Sequence, residues 1–197
     1  MISILKKIEW NYLKSIYGSS HSSIIGFLSY QWIKQNKSKN SVLDGAPSPE
    51  IGKGRTGQIN ADLLLLENEI PKIIIEVETV NWMKKAENII KYLDNENYND
   101  AKGLLLLTIV KAKEIEGNIF HSSKKEEENL KRVKTSIKRA KKNISIIEIW
   151  RKRIKPKDKE SFFTKIQERT DYYKWQICSI KYWEKNKESE LLKKKIF

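Results

Sequence analysis

Two short apolar runs separated by a polar turn constrain the fold of this chain more than any other feature. The first run is Leu63-Leu64-Leu65-Leu66 and the second is Ile73-Ile74-Ile75. The segment between them contains Glu67-Asn68-Glu69, which is typical of a turn. Apolar runs of this length, bounded by turn residues, are typical of strands buried in a sheet. The sequence therefore predicts a β-hairpin near the centre of a sheet, with its turn close to Glu69.

Apolar periodicity on either side of the hairpin predicts alternating helices and strands. Helices are predicted over residues 4–13, 23–35, 81–93 and 126–142, and strands over residues 104–110 and 144–150. Residues 172–183 fit either a strand or a short helix, and residues 36–60, rich in Ser, Asn, Pro and Gly, are predicted to form a long loop. This order indicates an α/β protein, and a length of 197 residues suits a single domain.

Positive charge is concentrated in the second half of the chain. The net charge is +14, of which residues 1–110 contribute +1 and residues 111–197 contribute +13. A field of this kind attracts polyanions, so the charge distribution favours nucleic acid as a partner. The alternative is a generally lysine-rich composition in which lysine occupies solvent-facing positions.

The chain lacks the sequence features of a membrane or secreted protein. It contains no apolar run of the roughly 18 residues that span a bilayer, and its first residues do not follow the layout of a signal peptide. Its single cysteine, Cys178, cannot form an internal disulfide, which suits a reducing compartment. We therefore expect a cytoplasmic protein that does not associate with membranes.

Three carboxylates come together in the geometry of the predicted hairpin. With the turn near Glu69, Asp62 lies opposite Glu76, and Glu78 points to the same side of the sheet. Like charges at this spacing in an apolar sheet are unfavourable unless a cation compensates them, and hard ions such as Mg²⁺ prefer carboxylate oxygens. The pattern predicts a divalent metal site. The alternative is that Glu76 and Glu78 form the solvent side of an alternating strand.

The order of helix, loop, aspartate-led strand, Glu-x-Glu strand, helix and strand resembles the PD-(D/E)XK nuclease superfamily over roughly Ile4–Val110. Asp62 falls where that family places its metal-binding aspartate, and Glu76-Val77-Glu78 falls on its (D/E)XK tripeptide. Ala61 replaces the proline of the motif, and Glu78 replaces its lysine, as in some restriction endonucleases of the superfamily.

The resemblance implies a fold and a division of the chain. The fold would be restriction-endonuclease-like, with a central mixed sheet flanked by helices. Residues 1–197 would form one nuclease-like domain, with a catalytic core over residues 4–110 and a basic nucleic-acid-binding half over residues 111–197.

The resemblance also implies roles for individual residues. Asp62, Glu76 and the backbone carbonyl of Val77 would bind Mg²⁺ or Mn²⁺, and Glu78 would position or deprotonate the attacking water. A carboxylate on the first helix is a metal ligand in some relatives, which makes Glu9 a further candidate. The alternative for Glu9 is an exposed helix residue.

Some relatives recruit a catalytic lysine from the helix that follows the tripeptide. On a helical wheel, Lys85 lies on the flank of the apolar face that Tyr92 shares, whereas Lys84 points away from it. Lys85 is therefore the predicted catalytic lysine. Asn88 and Tyr92 also approximate a Gln-x-x-x-Tyr helix motif of some members, and the alternative is that Lys85 and Tyr92 lie at the edge of a core.

The implied activity is hydrolysis of phosphodiester bonds in DNA, as in type II restriction enzymes. The residues predicted to contact nucleic acid are Lys53, Arg55 and Gln58 in the long loop, Lys131, Arg132, Lys138 and Arg139 on the basic helix, and Arg151 and Arg153 after the last predicted strand. For the loop residues, the alternative is a plain solvated surface. Cutting both strands of a duplex implies a homodimer by analogy.

Two other functions compete with the nuclease hypothesis. A non-catalytic nucleic-acid-binding protein with a degenerate nuclease fold would show salt-sensitive DNA binding without metal-dependent cleavage. An unrelated hydrolase site could use His21, His121 and scattered acids, but the two histidines are not at ligand spacing.

Overall fold

Seven strands and four helical segments make up the described part of the chain. The computed structural model describes residues 5, 7–15, 20–47, 60–94, 98, 100–110, 123–154, 174–185 and 187–192. The helical segments are a 3-10 helix (Trp10–Ser15), α1 (Ser20–Gln35), α2 (Trp82–Asp94) and α3 (Ser123–Arg139). The strands are β1 (Asn40–Pro47), β2 (Asn60–Glu67), β3 (Ile70–Glu78), β4 (Lys102–Val110), β5 (Ile144–Ile154), β6 (Lys174–Glu184) and β7 (Lys187–Leu192).

All seven strands join one mixed sheet in the order β1-β2-β3-β4-β5-β6-β7. Strands β3, β4 and β5 are parallel, and the other neighbouring pairs are antiparallel. Helices α2 and α3 are the two crossovers between the parallel strands. Because such crossovers are right-handed, two that proceed in the same direction place their helices on the same face of the sheet. The prediction of an α/β protein is confirmed at this level.

Each face of the sheet has its own apolar core. One face packs against the 3-10 helix and α1, which contribute Trp10, Phe27, Leu28 and Trp32. The other face packs against α2 and α3, which contribute Trp82, Ile89, Val133 and Ile137. No helix in the described residues is long and apolar enough to cross a membrane.

The hairpin of β2 and β3 has the predicted register over its apolar part. Leu63 pairs with Ile75, and Leu65 pairs with Ile73, and the ladder ends there, one position before Asp62 and Glu76. The turn is formed by Asn68 and Glu69, whose φ angles of 50° and 64° are those of a tight hairpin turn. A register shift between Leu65 and Leu66 separates the turn from the apolar part. The predicted turn position is therefore confirmed.

Close contact between α2 and the sheet depends on Gly103 at the start of β4. A β-carbon at this position would lie 2.4 Å from Ile89 Cγ2 and 3.0 Å from both Ile144 Cγ1 and Leu93 Cδ1. The missing side chain lets α2 approach β4, and this approach fixes the depth at which α2 presents its other residues.

Both edge strands differ from the sequence predictions. Strand β1 lies inside the segment predicted to be a loop, and β7 forms in the C-terminal tail. Edge strands carry few buried residues, and in β1 Leu43 is exposed, so apolar periodicity is weak there. Residues 174–184 form a strand rather than a helix, and Trp10–Ser15, which overlaps the end of the first predicted helix, is a 3-10 helix.

Candidate active site

Asp62 and Glu76 lie close together at the end of the β-hairpin that is far from its turn. Glu76 is fully buried, and the Asp62 side chain retains 13% of its exposure. Asp62 Oδ2 accepts a hydrogen bond of 2.7 Å from the backbone N–H of Val77, which ties the start of β2 to the end of β3. The two carboxylates therefore lie close together, as predicted, beside the backbone of Val77.

Lys85 of α2 joins the two carboxylates. Its Nζ lies 3.1 Å from both carboxylate oxygens of Asp62 and 2.5 Å from Glu76 Oε2. The Lys85 side chain is 19% exposed, whereas Lys84 beside it is exposed. The helical wheel predicted that Lys85, and not Lys84, lies on the flank of the apolar face. This placement is confirmed, because Lys85 contacts both acids.

Burial and charge move the pKa values of the two acids in opposite directions. Burial is the main cause that raises the pKa of Glu76 to about 8, with Lys85 opposing the rise and the negative charge of Asp62 adding to it. Burial would also raise the pKa of Asp62, but hydrogen bonds from Glu76, the Val77 N–H and Lys85 together lower it. At neutral pH the pair therefore keeps a proton on Glu76 and a negative charge on Asp62.

The two acids also act on Lys85. Burial alone would lower its pKa, but the hydrogen bond and charge of Glu76, together with those of Asp62, raise the pKa above that of a free lysine. Lys85 is therefore an ammonium ion at neutral pH. Two carboxyl groups with separated pKa values beside a fixed cation are an arrangement that suits acid–base chemistry.

Tyr92 lies behind this group on the same flank of α2 as Lys85. Its side chain is buried, and its hydroxyl is hydrogen-bonded to the backbone of Ala61. Burial is the main cause that raises the pKa of Tyr92, and the charges of Glu76 and Asp62 add to it. Tyr92 therefore remains neutral and links α2 to the segment of β2 that carries Asp62.

His21 is a member of the cluster that the sequence prediction of the metal site did not include. It lies in the first turn of α1, and its Nε2 is 3.3 Å from Asp62 Oδ1. The side chain of His21 is 45% exposed, so it lies between the buried carboxylates and solvent. No local spacing connects position 21 with position 62, and only the packing of α1 on the hairpin brings them together.

The carboxylate of Glu78 is engaged at the end of its own strand, and its predicted catalytic role stays a prediction. Glu78 Oε1 accepts hydrogen bonds from the backbone N–H groups of Thr79 at 2.7 Å and Val80 at 3.1 Å. These groups follow the end of β3, whose ladder with β4 stops at Glu78 and Leu107, and the nearest carboxylate satisfies them. Among the residues that the structure describes, no three His, Cys, Asp or Glu side chains are arranged to hold a metal ion.

Glu9 also lies away from the predicted site. Its carboxylate forms an ion pair of 2.8 Å with Lys34, and its backbone N–H donates to Gln31 Oε1 at 3.2 Å. Lys34 is in the last turn of α1, thirteen residues and about 20 Å along the helix from His21. The segment that contains Glu9 packs against the opposite end of α1 from the cluster, which corrects the prediction of Glu9 as a metal ligand.

The donor set at Asp62 and Glu76 nevertheless fits a hard divalent ion. Glu76 Oε1 is buried and has no hydrogen-bond partner among the described residues. A buried carboxylate oxygen without a partner is unfavourable, and an ion bound at the pair would satisfy it. Two carboxylates and a backbone carbonyl are oxygen ligands that Mg²⁺ accepts together with water.

The basic residues predicted to contact nucleic acid have different environments. Lys131, Arg132, Lys138 and Arg139 are exposed on α3. Arg151 is partly buried, and burial lowers its pKa to about 10 while the charge of Glu126 opposes that change, so its predicted contact with nucleic acid stays a prediction. Three predicted residues, Lys53, Arg55 and Gln58, and the side chain of Arg153 lie outside the described residues.

Comparison of the chain with models of protein families, with curated proteins and with solved structures gives no match in any of the three.

Proposed function

We propose that this protein is a metal-dependent deoxyribonuclease that hydrolyses phosphodiester bonds, with a site of the PD-(D/E)XK type. The observation that carries the proposal is the contact of Lys85 Nζ with both Asp62 and the buried Glu76. An aspartate and a glutamate on paired strands, with a lysine beside them, are the three groups that the resemblance implies. In this chain the lysine comes from α2 instead of the tripeptide.

Asp62, Glu76 and the backbone carbonyl of Val77 are the residues that would hold Mg²⁺ or Mn²⁺. An ion bound there supplies two effects, a lower pKa for a coordinated water and compensation of the negative charge on the phosphate. The proton on Glu76 has to leave before its carboxylate can serve as a ligand, because only the ionised form offers both oxygens. Ion binding therefore competes with both that proton and the Lys85 ammonium.

The residues around the acids have separate tasks in this proposal. Lys85 holds a positive charge beside the carboxylates and can donate a hydrogen bond to the attacking water or to a phosphate oxygen. His21, at the exposed side of the cluster, lies beside Asp62, where it can orient that carboxylate or donate a hydrogen bond to a phosphate oxygen. Glu78 holds the turn that leads into α2. Its task is thus to position the helix that carries Lys85.

Nicking of supercoiled plasmid tests the proposal. With Mg²⁺ or Mn²⁺ we expect the wild type to convert supercoiled DNA to open circles, and with EDTA we expect no conversion. Glu76→Ala and Asp62→Asn should lower the rate roughly 100-fold or more, as for loss of other groups that stabilise developing charge. Glu69→Gln, an exposed change in the turn of the same hairpin, is the matched control and should leave the rate unchanged.

Equal nicking by wild type and Glu76→Ala would contradict the site assignment. Calorimetric titration with Mg²⁺ separates loss of the ion from loss of the fold, because a folded Glu76→Ala should no longer bind the ion. Circular dichroism of each variant supplies the check that the fold is retained.

A non-catalytic DNA-binding protein is the second candidate, and one observation favours it. The Lys85 ammonium already lies between the two carboxylates, so their charge is compensated without another cation. The carboxylate of Glu78 is also engaged in its own turn. On this hypothesis the protein binds DNA in a salt-dependent manner, and no DNA form is cut with either ion.

A further inference from the structure

Two Lys-Arg pairs stand seven residues apart on the exposed side of α3. They are Lys131-Arg132 and Lys138-Arg139, and all four side chains are exposed. Seven residues are close to two helical turns, or about 10.5 Å along the axis. Because consecutive residues are about 100° apart around a helix, the two lysines form one row and the two arginines form a second row beside it.

Thr135 lies midway between the two rows on the crest of the helix. It is exposed, and its hydroxyl donates a hydrogen bond of 2.8 Å to the backbone carbonyl of Lys131. The hydroxyl is thus engaged by the helix itself. The crest between the cationic rows consequently presents little that could discriminate one base from another.

A groove runs along each side of the crest. The first, of about 520 Å³, lies towards α2 and is lined by Met83, Arg132 and Arg139 among others. The second, of about 300 Å³, lies towards β6 and is lined by Lys138 and Trp183 among others. Lys131 and Thr135 line both grooves. The crest of α3 therefore stands between two concave surfaces, each with exposed cations.

Acidic residues are confined to the beginning of α3. Glu126, Glu127 and Glu128 lie in its first two turns, where negative charge is favourable at a helix N-terminus. From Lys131 to Arg139 the described helix contains no acidic residue. Glu127 and Glu128 therefore lie one turn from Lys131 and Arg132 and line the same grooves, whereas Lys138 and Arg139 have no acidic residue beside them on the described helix.

We propose that α3 is a duplex-DNA-binding helix, whose two cationic rows contact the phosphates on the two sides of a major groove without reading the sequence. The groove of B-DNA is about 12 Å wide, and a helix with its side chains is about 10–12 Å across. This proposal names duplex DNA as the substrate form and rests on the proposed function for that choice. An anionic membrane is a poorer fit, because the exposed stretch of α3 has no large apolar side chains to insert.

Lys134 offers a comparison within the same helix. Its Nζ lies 2.6 Å from Glu148 Oε1 and 5.7 Å from the centroid of the Trp183 ring, and the side chain is only 19% exposed. Glu148 is almost fully buried and also accepts a hydrogen bond from Trp150 Nε1 at 2.9 Å. Lys134 is therefore held by the protein and does not belong to the phosphate-binding rows.

Binding should be measured on full-length protein that carries Glu76→Gln, in EDTA, so that no cleavage occurs. The probe is a fluorescent duplex of about 20 base pairs, and its anisotropy is followed across a salt series. If four side chains contact phosphates, the plot of log K against log salt should have a slope of about −3.6 or steeper. The double variants K131A/K138A and R132A/R139A should each reduce the magnitude of that slope by about 2 and weaken binding at least 10-fold.

Two controls remove positive charge at positions outside the cationic rows. K37A/K39A removes two exposed lysines from the segment between α1 and β1, and should leave the slope unchanged. Lys134→Met should lower stability because it leaves Glu148 without its cation, yet should not change the slope in the folded fraction. Two duplexes of unrelated sequence should bind within about twofold of each other, since phosphate contacts carry no sequence information.

Several results would overturn the proposal. If K37A/K39A reduced the magnitude of the slope by the same amount, DNA binding would depend only on the overall positive charge of the protein. Equal binding of a single strand, or preferential binding of vesicles with anionic lipid, would assign the helix to another partner. If the protein bound DNA through α3 but did not nick plasmid, the proposed function alone would be contradicted. If it nicked plasmid and the α3 variants nicked equally well, this inference alone would be contradicted.

Discussion

Lys85 provides the positive charge and the hydrogen bonds that stabilise the Asp62 carboxylate and the Glu76 carboxyl group inside the sheet. Glu76 is fully buried and Asp62 is largely buried, so water cannot solvate them well. Removal of one partner from a buried ion pair is costly because the remaining charge stays in a poorly solvating environment. The ammonium of Lys85 consequently contributes to stability as well as to the proposed chemistry.

Lys85→Met should destabilise the fold by about 2–4 kcal/mol, because Asp62 loses its cation and the buried Glu76 loses a hydrogen-bond partner. Lys84→Met, which changes an exposed lysine one position away, should alter stability by less than about 0.5 kcal/mol. Urea unfolding measures both. Addition of Glu76→Gln to Lys85→Met should recover part of the loss, and strictly additive effects of the two substitutions would contradict the proposed coupling.

Glu76 makes the stability of the metal-free protein depend on pH. Its pKa rises from 4.5 in the unfolded chain to about 8 in the fold, so between these values the folded protein retains a proton that the unfolded chain has released. The free energy of unfolding contributed by this group is fully present below pH 4.5 and is lost as the pH rises towards 8. The lowered pKa of Asp62 acts only at more acidic pH, and the raised pKa of Lys85 acts only at more alkaline pH.

Stability in EDTA should therefore decline between pH 5 and pH 8.5, and Glu76→Gln should show a smaller decline. Each pKa unit corresponds to about 1.4 kcal/mol, so the difference between the two proteins should change by more than this across the range. Denaturant unfolding at several pH values measures the change. Parallel curves for the two proteins would contradict the shifted pKa, and Glu69→Gln, an exposed control, should follow the wild type.

Among the helices and strands, α2 determines the position of the Lys85 ammonium group. Its apolar side chains pack on the sheet, Gly103 sets its distance from β4, and Tyr92 connects it to β2. Because Lys85 is on the flank of this helix, a shift of α2 away from the sheet would draw the ammonium away from the acids. Packing at Gly103 is therefore linked to the geometry of the site.

Gly103→Ala should destabilise the protein by about 1–3 kcal/mol, because the new methyl group would overlap with Ile89. Gly26→Ala is a useful contrast, since Gly26 lies within α1 and a β-carbon there meets nothing within 4 Å. That change should stabilise the protein by about 0.5–1 kcal/mol through helix propensity. Thermal unfolding of the two variants should thus shift in opposite directions, and a neutral Gly103→Ala would show that α2 can move without cost.

Sequence reasoning succeeded where the determining contacts were local. The hairpin register follows from a turn of two residues and two apolar runs, and the choice of Lys85 follows from one helical wheel. Failures came from contacts that a local pattern does not encode. Strand β1 has little apolar periodicity, Glu78 responds to the unpaired N–H groups after it, and His21 reaches Asp62 through the packing of α1.

At the scale of the whole molecule, one sheet contains strands from both halves of the sequence. The acidic hairpin belongs to the nearly neutral half, whereas α3 belongs to the strongly basic half. The α/β class was predictable from the alternation of helices and strands. The strand order was not, because it depends on which strands pair after the crossovers have formed.

Helix α2 separates the acidic cluster from α3. Lys85 faces the hairpin from one flank of α2, while Met83, about 200° away around the helix, lines the groove beside α3. Neighbouring packed helices lie about 8–10 Å apart, so α2 acts as a spacer of constant width. A polymer bound to both surfaces would contact α3 a fixed number of monomers away from the position at which it contacts Asp62 and Glu76. The body of the protein would then serve as a molecular ruler.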